Sequence, residues 1–241
     1  MLGFWESSTR LGLFTRATLP PASAVLRTAA ADSGTLLPQL ATTAEEAAIG
    51  FAISVVGGIA IATAIVTWRP IDKSLSPLIV GSQVVPKIAI APLLLIWFGF
   101  GLTPKILIAI LLSVFPVIVS TTLGLRMVTV EKLYLARSIG ASWGQTFARV
   151  RFPGALPELF AGIKLAAALS VTGAIVGEFV APGGGIGRSI LVSASTGDTT
   201  ALWAGIFYLV LVGIVAFQSI SRLERLAIPW HVTQRLQGSR T

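Results

Sequence analysis

Five apolar runs, each about as long as a bilayer is thick, are the feature that leaves this chain the fewest folds. They occupy residues 47–68, 78–100, 106–125, 159–180 and 201–220, the second being interrupted by Pro86 and Lys87. A helix needs about 20 apolar residues to cross the hydrocarbon core. Backbone N–H and C=O groups find no water there, so only helices and closed barrels can span. These runs are continuous and rich in Ala, Leu and Ile, unlike the short alternating strands of a barrel. Of 241 residues, 54% are hydrophobic and only 12% charged, against about 25% charged in soluble domains. Too little polar surface remains to coat a water-soluble globule. The expected fold is an all-α, polytopic helical bundle of five spans. Residues 1–44 form an N-terminal interfacial segment, 45–225 the membrane bundle and 226–241 a tail.

The net charge of +8 does not point to nucleic acid, because the basic residues fall between apolar runs instead of clustering on one reading surface. They report topology. Arg69, Lys73, Arg126, Lys132, Arg137, Arg149, Arg151, Arg222, Arg225, Arg235 and Arg240 share one side if the spans alternate. Lys105 and Arg188, with the acidic pair Glu45 and Glu46, fall on the other. The positive-inside rule puts the eleven in the cytoplasm. Residues 4–13 are too short and polar to span, and they lack the apolar core of a signal peptide. Trp5, Trp68, Trp97, Trp203 and Trp230 lie near span ends, as an aromatic belt requires. Gly50, Ser54 and Gly58 put a small-residue stripe on one helix face, read as packing inside the bundle.

Catalytic and metal chemistry have little to work with. The chain has no cysteine and one histidine, His231, expected to face solvent in the tail. No Ser/His/Asp constellation can be assembled. Gly183-Gly-Gly-Ile-Gly187 lacks the following Lys-Ser/Thr pair of a phosphate loop. It predicts a turn leading into an amphipathic helix over 186–195 at the outer face.

The segment between the third and fourth spans, about residues 130–157, carries the most information. A short helix to about Ile139 is expected, closed by a left-handed Gly140. A second starts at Ser142, whose capping-box partner is Gln145, and stops before Pro153. Two short helices joined by a glycine bend make a compact knob suited to a groove on a partner. Glycine 140, nine residues, then Val150-x-Phe152-Pro153 resembles the signature loop of ABC importer permeases, Glu-Ala-Ala-x3-Gly-x9-Ile-x-Leu-Pro. Ala136, Gly140 and Pro153 match, and Val150 and Phe152 are conservative. Tyr134 and Leu135 depart from it, with Glu131 one turn upstream. The stretches 19–26, 85–101, 176–179 and 183–187 resemble the nitrate/sulfonate/taurine/bicarbonate permease branch, in order, from Leu19 to Arg225. Trp5-Glu6 resembles the end of a further N-terminal span, here absent or degenerate.

The resemblance implies a type I importer permease of the cytoplasmic (inner) membrane. Two copies would pair around a central pathway, and a cytoplasmic ATPase dimer would take their loops in surface grooves. Tyr134, Ala136, Arg137, Gly140, Ala141, Val150, Phe152 and Pro153 would form the coupling loop. ATP and Mg²⁺ would be bound by the ATPase, since this chain has no G-x-x-x-x-G-K-[ST] motif and binds no cofactor itself. An extracytoplasmic binding protein would deliver the solute: a small oxoanion, sulfonate, taurine, or a pyrimidine- or flavin-like compound. Gln83, Pro86, Lys87 and Glu178 are candidates for the pathway. Glu178 is expected to gate, to pair with a basic residue such as Lys87 or Arg188, or to make a structural hydrogen bond to a neighbouring helix, and Lys164 to snorkel. A stand-alone secondary transporter or a membrane scaffold is the alternative, but the chain shows no inverted repeat, and a scaffold does not explain an ordered knob.

Overall fold

The structure, a computed structural model, describes residues 2–15, 18–181 and 183–229; His231, Trp230, Arg235 and Arg240 lie outside them. Among these residues every regular element is helical. The helices are α1 (Leu2–Arg10), α2 (Ala22–Ala31), α3 (Ser33–Thr67), α4 (Arg69–Ser82) and α5 (Ala91–Phe98), the last preceded by a 3₁₀ turn at Lys87–Ile90. They are followed by α6 (Leu102–Arg126), α7 (Val130–Ser138), α8 (Trp143–Thr146), a π-turn at Phe147–Arg151, α9 (Phe152–Val180), α10 (Ile186–Thr196) and α11 (Thr199–Ala227).

Four helical stretches are long and apolar enough to cross a bilayer: α3, α6, Trp143–Val180 and α11. A fifth candidate is the pair Arg69–Ser82 and Lys87–Phe98, bent at its break. Two expected boundaries are corrected. The first span, expected from residue 47, belongs to a helix that starts at Ser33 and runs through Pro38. The second short helix, expected to stop before Pro153, continues into α9. Proline lacks an N–H, and its ring collides with the carbonyl four residues back. Here Phe152 N–H reaches the Phe147 carbonyl five residues back. The wider π-turn makes room for the proline at the cost of one standard bond.

The chain packs as two compact units. One comprises residues 1–50, 88–109 and 170–215. Its core includes Val25, Leu36, Ile186 and Ala204, with Trp203, Phe207 and Tyr208 against it. The amino-terminal helix is tied into this unit. Trp5 Nε1 donates to the Pro20 carbonyl at 3.0 Å and its ring lies 5.4 Å from that of Trp203. Helix α2 has no capping side chain of its own, and Glu6 supplies one. Its carboxylate accepts from the Ser23 amide at 3.0 Å and hydroxyl at 2.9 Å, which satisfies an orphan N–H and places negative charge at a helix N-terminus. The Ser23 amide also holds the Glu6 carboxyl below its usual range.

The other unit comprises, among the described residues, 51–87, 110–169 and 216–229. Leu159, Ile163, Ala167 and Ile220 form its core. Ser54 is fully buried and accepts from the Ser113 hydroxyl at 2.7 Å. A Cβ on Gly58 would sit 2.8 Å from Val117, so this part of the small-residue stripe serves packing inside the bundle, as expected. Lys164, expected to snorkel, has a charged partner within the bundle. It pairs with Glu224 and lies 5.9 Å from the Phe217 ring centroid.

Helices α6 and α9 meet through glycines in both units, with antiparallel register. In the second unit Gly124 faces the Ala155 carbonyl, and Gly162 faces Ser120 and the Pro116 carbonyl. In the first unit Gly173 faces Ala109 and Gly177 faces Lys105. Lipid is as apolar as leucine, so such helices associate by close packing and polar bonds instead of hydrophobic exclusion.

Candidate functional site

The loop between α6 and α9 is built by local chemistry. Helix α7 ends in a Schellman motif: Ala141 N–H donates to the Ala136 carbonyl and Gly140 N–H to the Arg137 carbonyl, both at 3.0 Å. Gly140 has φ +76°, the left-handed conformation that favours glycine. Ser142 then opens α8 with both bonds of the expected capping box to Gln145. Exchanging Ser142 for alanine is expected to weaken this turn by about 1 kcal/mol, measured as faster amide hydrogen exchange at Gln145; unchanged protection would refute the cap's contribution.

The surface this bend displays is apolar. Tyr134 and Leu135 are each 65% exposed, Ile139 77% and Trp143 59%, while Ala136 is buried beneath them. Arg137 is exposed and Ala141, Val150, Phe152 and Pro153 are half-buried. Phe147 stacks on Trp143 and tilts against Phe152, with centroids at 5.4 and 6.2 Å. The ring stack rigidifies the second half of the knob and leaves its outer apolar residues without cover.

Gln83, Pro86 and Lys87 all fall at the break between α4 and the 3₁₀ turn. Gln83 is the carboxy-terminal cap of α4, Pro86 is exposed and Lys87 half-buried. The Lys87 ammonium lies 4.6 Å from the Phe115 ring centroid, a cation–π contact. Residue 178 belongs to the first unit, and of the readings open for it the structure shows the structural hydrogen bond to a neighbouring helix, not an ion pair with Lys87 or Arg188. Glu178 is fully buried. One oxygen accepts from the Thr43 hydroxyl at 2.5 Å and the other from the Gly187 amide at 2.6 Å.

These bonds belong to a buried polar cluster that sequence reasoning missed. The first N–H groups of α10 need acceptors. Gln39 accepts from Gly185 N–H at 2.5 Å, Thr43 from Ile186 N–H at 2.9 Å and Glu178 from Gly187 N–H. Lys105 donates to the Gly184 carbonyl at 2.8 Å and to Glu46 at 2.9 Å. Both partners of that ion pair are buried, their side chains 3% and 0% exposed. Glu46 and Lys105, counted as loop charges from sequence, are therefore internal. Gly185, at φ +123°, has no room for a Cβ because the Glu178 carboxyl occupies that space. The expected helix after the glycines is present as α10. The cluster pins it and its leading loop to α3, α6 and α9. The readable signal was Glu178 alone, a carboxylate inside an otherwise apolar run; Glu46 and Lys105 fall just before their runs and read as loop charges.

Comparison with known proteins completes the assignment. Residues 54–228 match the family of binding-protein-dependent transport system inner membrane components, and the chain belongs to it. It is 32% identical over 235 residues to the formylaminopyrimidine transport permease of Halalkalibacterium halodurans, covering 97% of this chain and 94% of that one. It is 36% identical over 165 residues to the riboflavin transport system permease of Chloroflexus aurantiacus, covering 68% and 62% of the two chains. It is 29% identical over 238 residues to the taurine transport permease of Escherichia coli, covering 96% and 86%. The fold is similar to that of the MetNI methionine ABC transporter, with a TM-score of 0.63 at 19% identity over 80% of this chain and 94% of that one. The protein is the transmembrane permease subunit of an ABC importer, as its signature loop implied, and the secondary-transporter and scaffold alternatives are not favoured.

Proposed function

We propose that this permease crosses the inner membrane five times within residues 45–225, the bent pair forming the second span, with the 130–157 loop and the tail 226–241 in the cytoplasm. Two copies form the pathway, and a dimer of separate ATPase subunits binds ATP and Mg²⁺ and receives the loops. The observation that carries this reading is the knob itself: a Schellman bend and a capping box hold Tyr134, Leu135, Ile139 and Trp143 outward. Four large exposed apolar side chains on an ordered bend fit a partner's groove. The basic residues gathered around it support the cytoplasmic orientation, and the internal pairing of Lys105 removes one charge from the opposing side.

The pathway runs past Gln83, Pro86 and Lys87. Irregular backbone at membrane depth is tolerated where it is buried in protein or lines a watery cavity, and in this reading the break, exposed at Gln83 and Pro86, faces the pathway between the two copies. An extracytoplasmic binding protein delivers the solute near α10. Relatives that carry taurine or formylaminopyrimidine favour a small sulfonate-like anion or a pyrimidine-like compound, and Lys87 favours the anion. Deleting residues 136–150 is expected to abolish co-purification of the ATPase and solute uptake while leaving membrane insertion intact. Full retention of the ATPase by the deleted protein sinks the coupling role.

A further inference from the structure

In the unit that carries the loop, a cavity of about 410 Å³ lies between the end of α3 with the start of α4 and the α7–α8 knob. Three arginines line it: Arg69 from α4, Arg137 from α7 and Arg151 from the π-turn. None forms an ion pair among the described residues. Nearby Arg126 is neutralised by Asp72 at 2.6 Å, so the chain supplies a counter-ion to that cation and leaves three around the cavity without one. Thr67, which also lines the cavity, has a buried hydroxyl with no hydrogen-bond partner.

We infer that this cavity binds a phosphate group, that of an anionic phospholipid, with Arg69, Arg137 and Arg151 as its cations and the Thr67 hydroxyl as a further donor. Three like charges around one concavity repel each other and focus positive potential into it. One anion reverses the sign of that energy. Guanidinium forks match phosphate oxygens two at a time, which a lysine cannot do. The depth selects the lipid over a dissolved anion. Helix α3 ends at Thr67, and Trp68 beyond it is 57% exposed, the position of an interfacial aromatic at headgroup level. Basic pockets between spans at the cytoplasmic surface hold such headgroups. The inference goes beyond the transport reading and rests on it only for the cytoplasmic side on which the loop lies. A lipid seated there would touch both the span ends and Arg137 of the knob.

The test uses the full chain purified in neutral detergent with its co-purifying subunits, stripped of lipid and titrated with dioctanoyl phosphatidylglycerol, dioctanoyl phosphatidylcholine or inorganic phosphate. Binding is followed by native mass spectrometry. Phosphatidylglycerol should bind saturably, one per chain, and phosphatidylcholine should not. The double exchange Arg69→Gln, Arg151→Gln should weaken phosphatidylglycerol at least about tenfold, as loss of two charge-assisted contacts implies, with the lipid-free melting temperature retained. Thr67→Val keeps every charge and should weaken it several-fold, which serves if the double variant does not fold. Inorganic phosphate binding as tightly as the lipid would overturn the lipid as the source. Equal binding of both lipids, or binding indifferent to all three exchanges, would overturn the site, including the case in which these arginines serve acidic residues of the ATPase.

Discussion

Exchanging Lys105 for methionine is expected to lower the unfolding free energy by about 3–5 kcal/mol, the usual loss when one partner of a buried ion pair is removed. The methionine fills the channel beside Gly177, but Glu46 remains, fully buried, with its second oxygen already without a hydrogen-bond partner. The Gly184 carbonyl loses its donor as well. Most of the cost belongs to the stranded carboxylate and not to the lost attraction, because the pair had already given up hydration to be inside. The double exchange Lys105→Met, Glu46→Leu separates the two. It should recover most of the stability and leave a deficit near 1 kcal/mol, the net value of the missing bond to the Gly184 carbonyl. Unfolding by sodium dodecyl sulfate titration in mixed micelles measures both. A double variant as unstable as the single one would show that the ion pair is not the source.

The same cluster shows where sequence reasoning reaches and where it stops. The left-handed Gly140, the Ser142–Gln145 capping box and the helix after Gly183–Gly187 were all legible, because each depends on residues within one or two turns of each other. The apolar runs were legible because lipid constrains every residue of a span in the same way. The partners of Glu178 were not. Thr43 lies 135 positions away in the chain, and nothing local distinguishes it from the threonines beside it. Lys105 illustrates the same limit: at a span end, a lysine reads as a loop charge until a carboxylate 59 positions distant is seen to meet it. Pro153 misled for a different reason. Its rule concerns an α-helix, and a π-turn just before it removes the clash on which the rule depends. The candidate pathway residues divided accordingly: Gln83, Pro86 and Lys87 are neighbours in sequence and share one break, while Glu178 belongs to the anchoring of α10.

Adding side chain at Gly173 should be the most damaging small change within the spans. A Cβ there would lie 2.5 Å from the Ala109 Cα and 2.9 Å from its nitrogen. Those are backbone atoms of α6, which cannot rotate aside as a side chain end could. Gly173→Val must therefore push α9 away from α6. The separation loosens packing at Gly177 and Lys105, one turn along the same seam, and so strains the Glu46 ion pair. Core overpacking typically costs about 1–3 kcal/mol; because the Cβ itself meets backbone, the alanine is already expected near the upper limit of about 3 kcal/mol and the valine at or above it. Gly213 on α11 is the control, since nothing lies within 4 Å of a Cβ there. Gly213→Ala should be neutral or stabilising by up to about 1 kcal/mol, through helix propensity alone. In water, apolar exclusion could drive separated helices back together. In lipid that force is absent, so the contact once lost has little to restore it. Equal losses at Gly173 and Gly213 in the same micelle titration would mean that the glycines matter through the backbone and not through the α6–α9 approach.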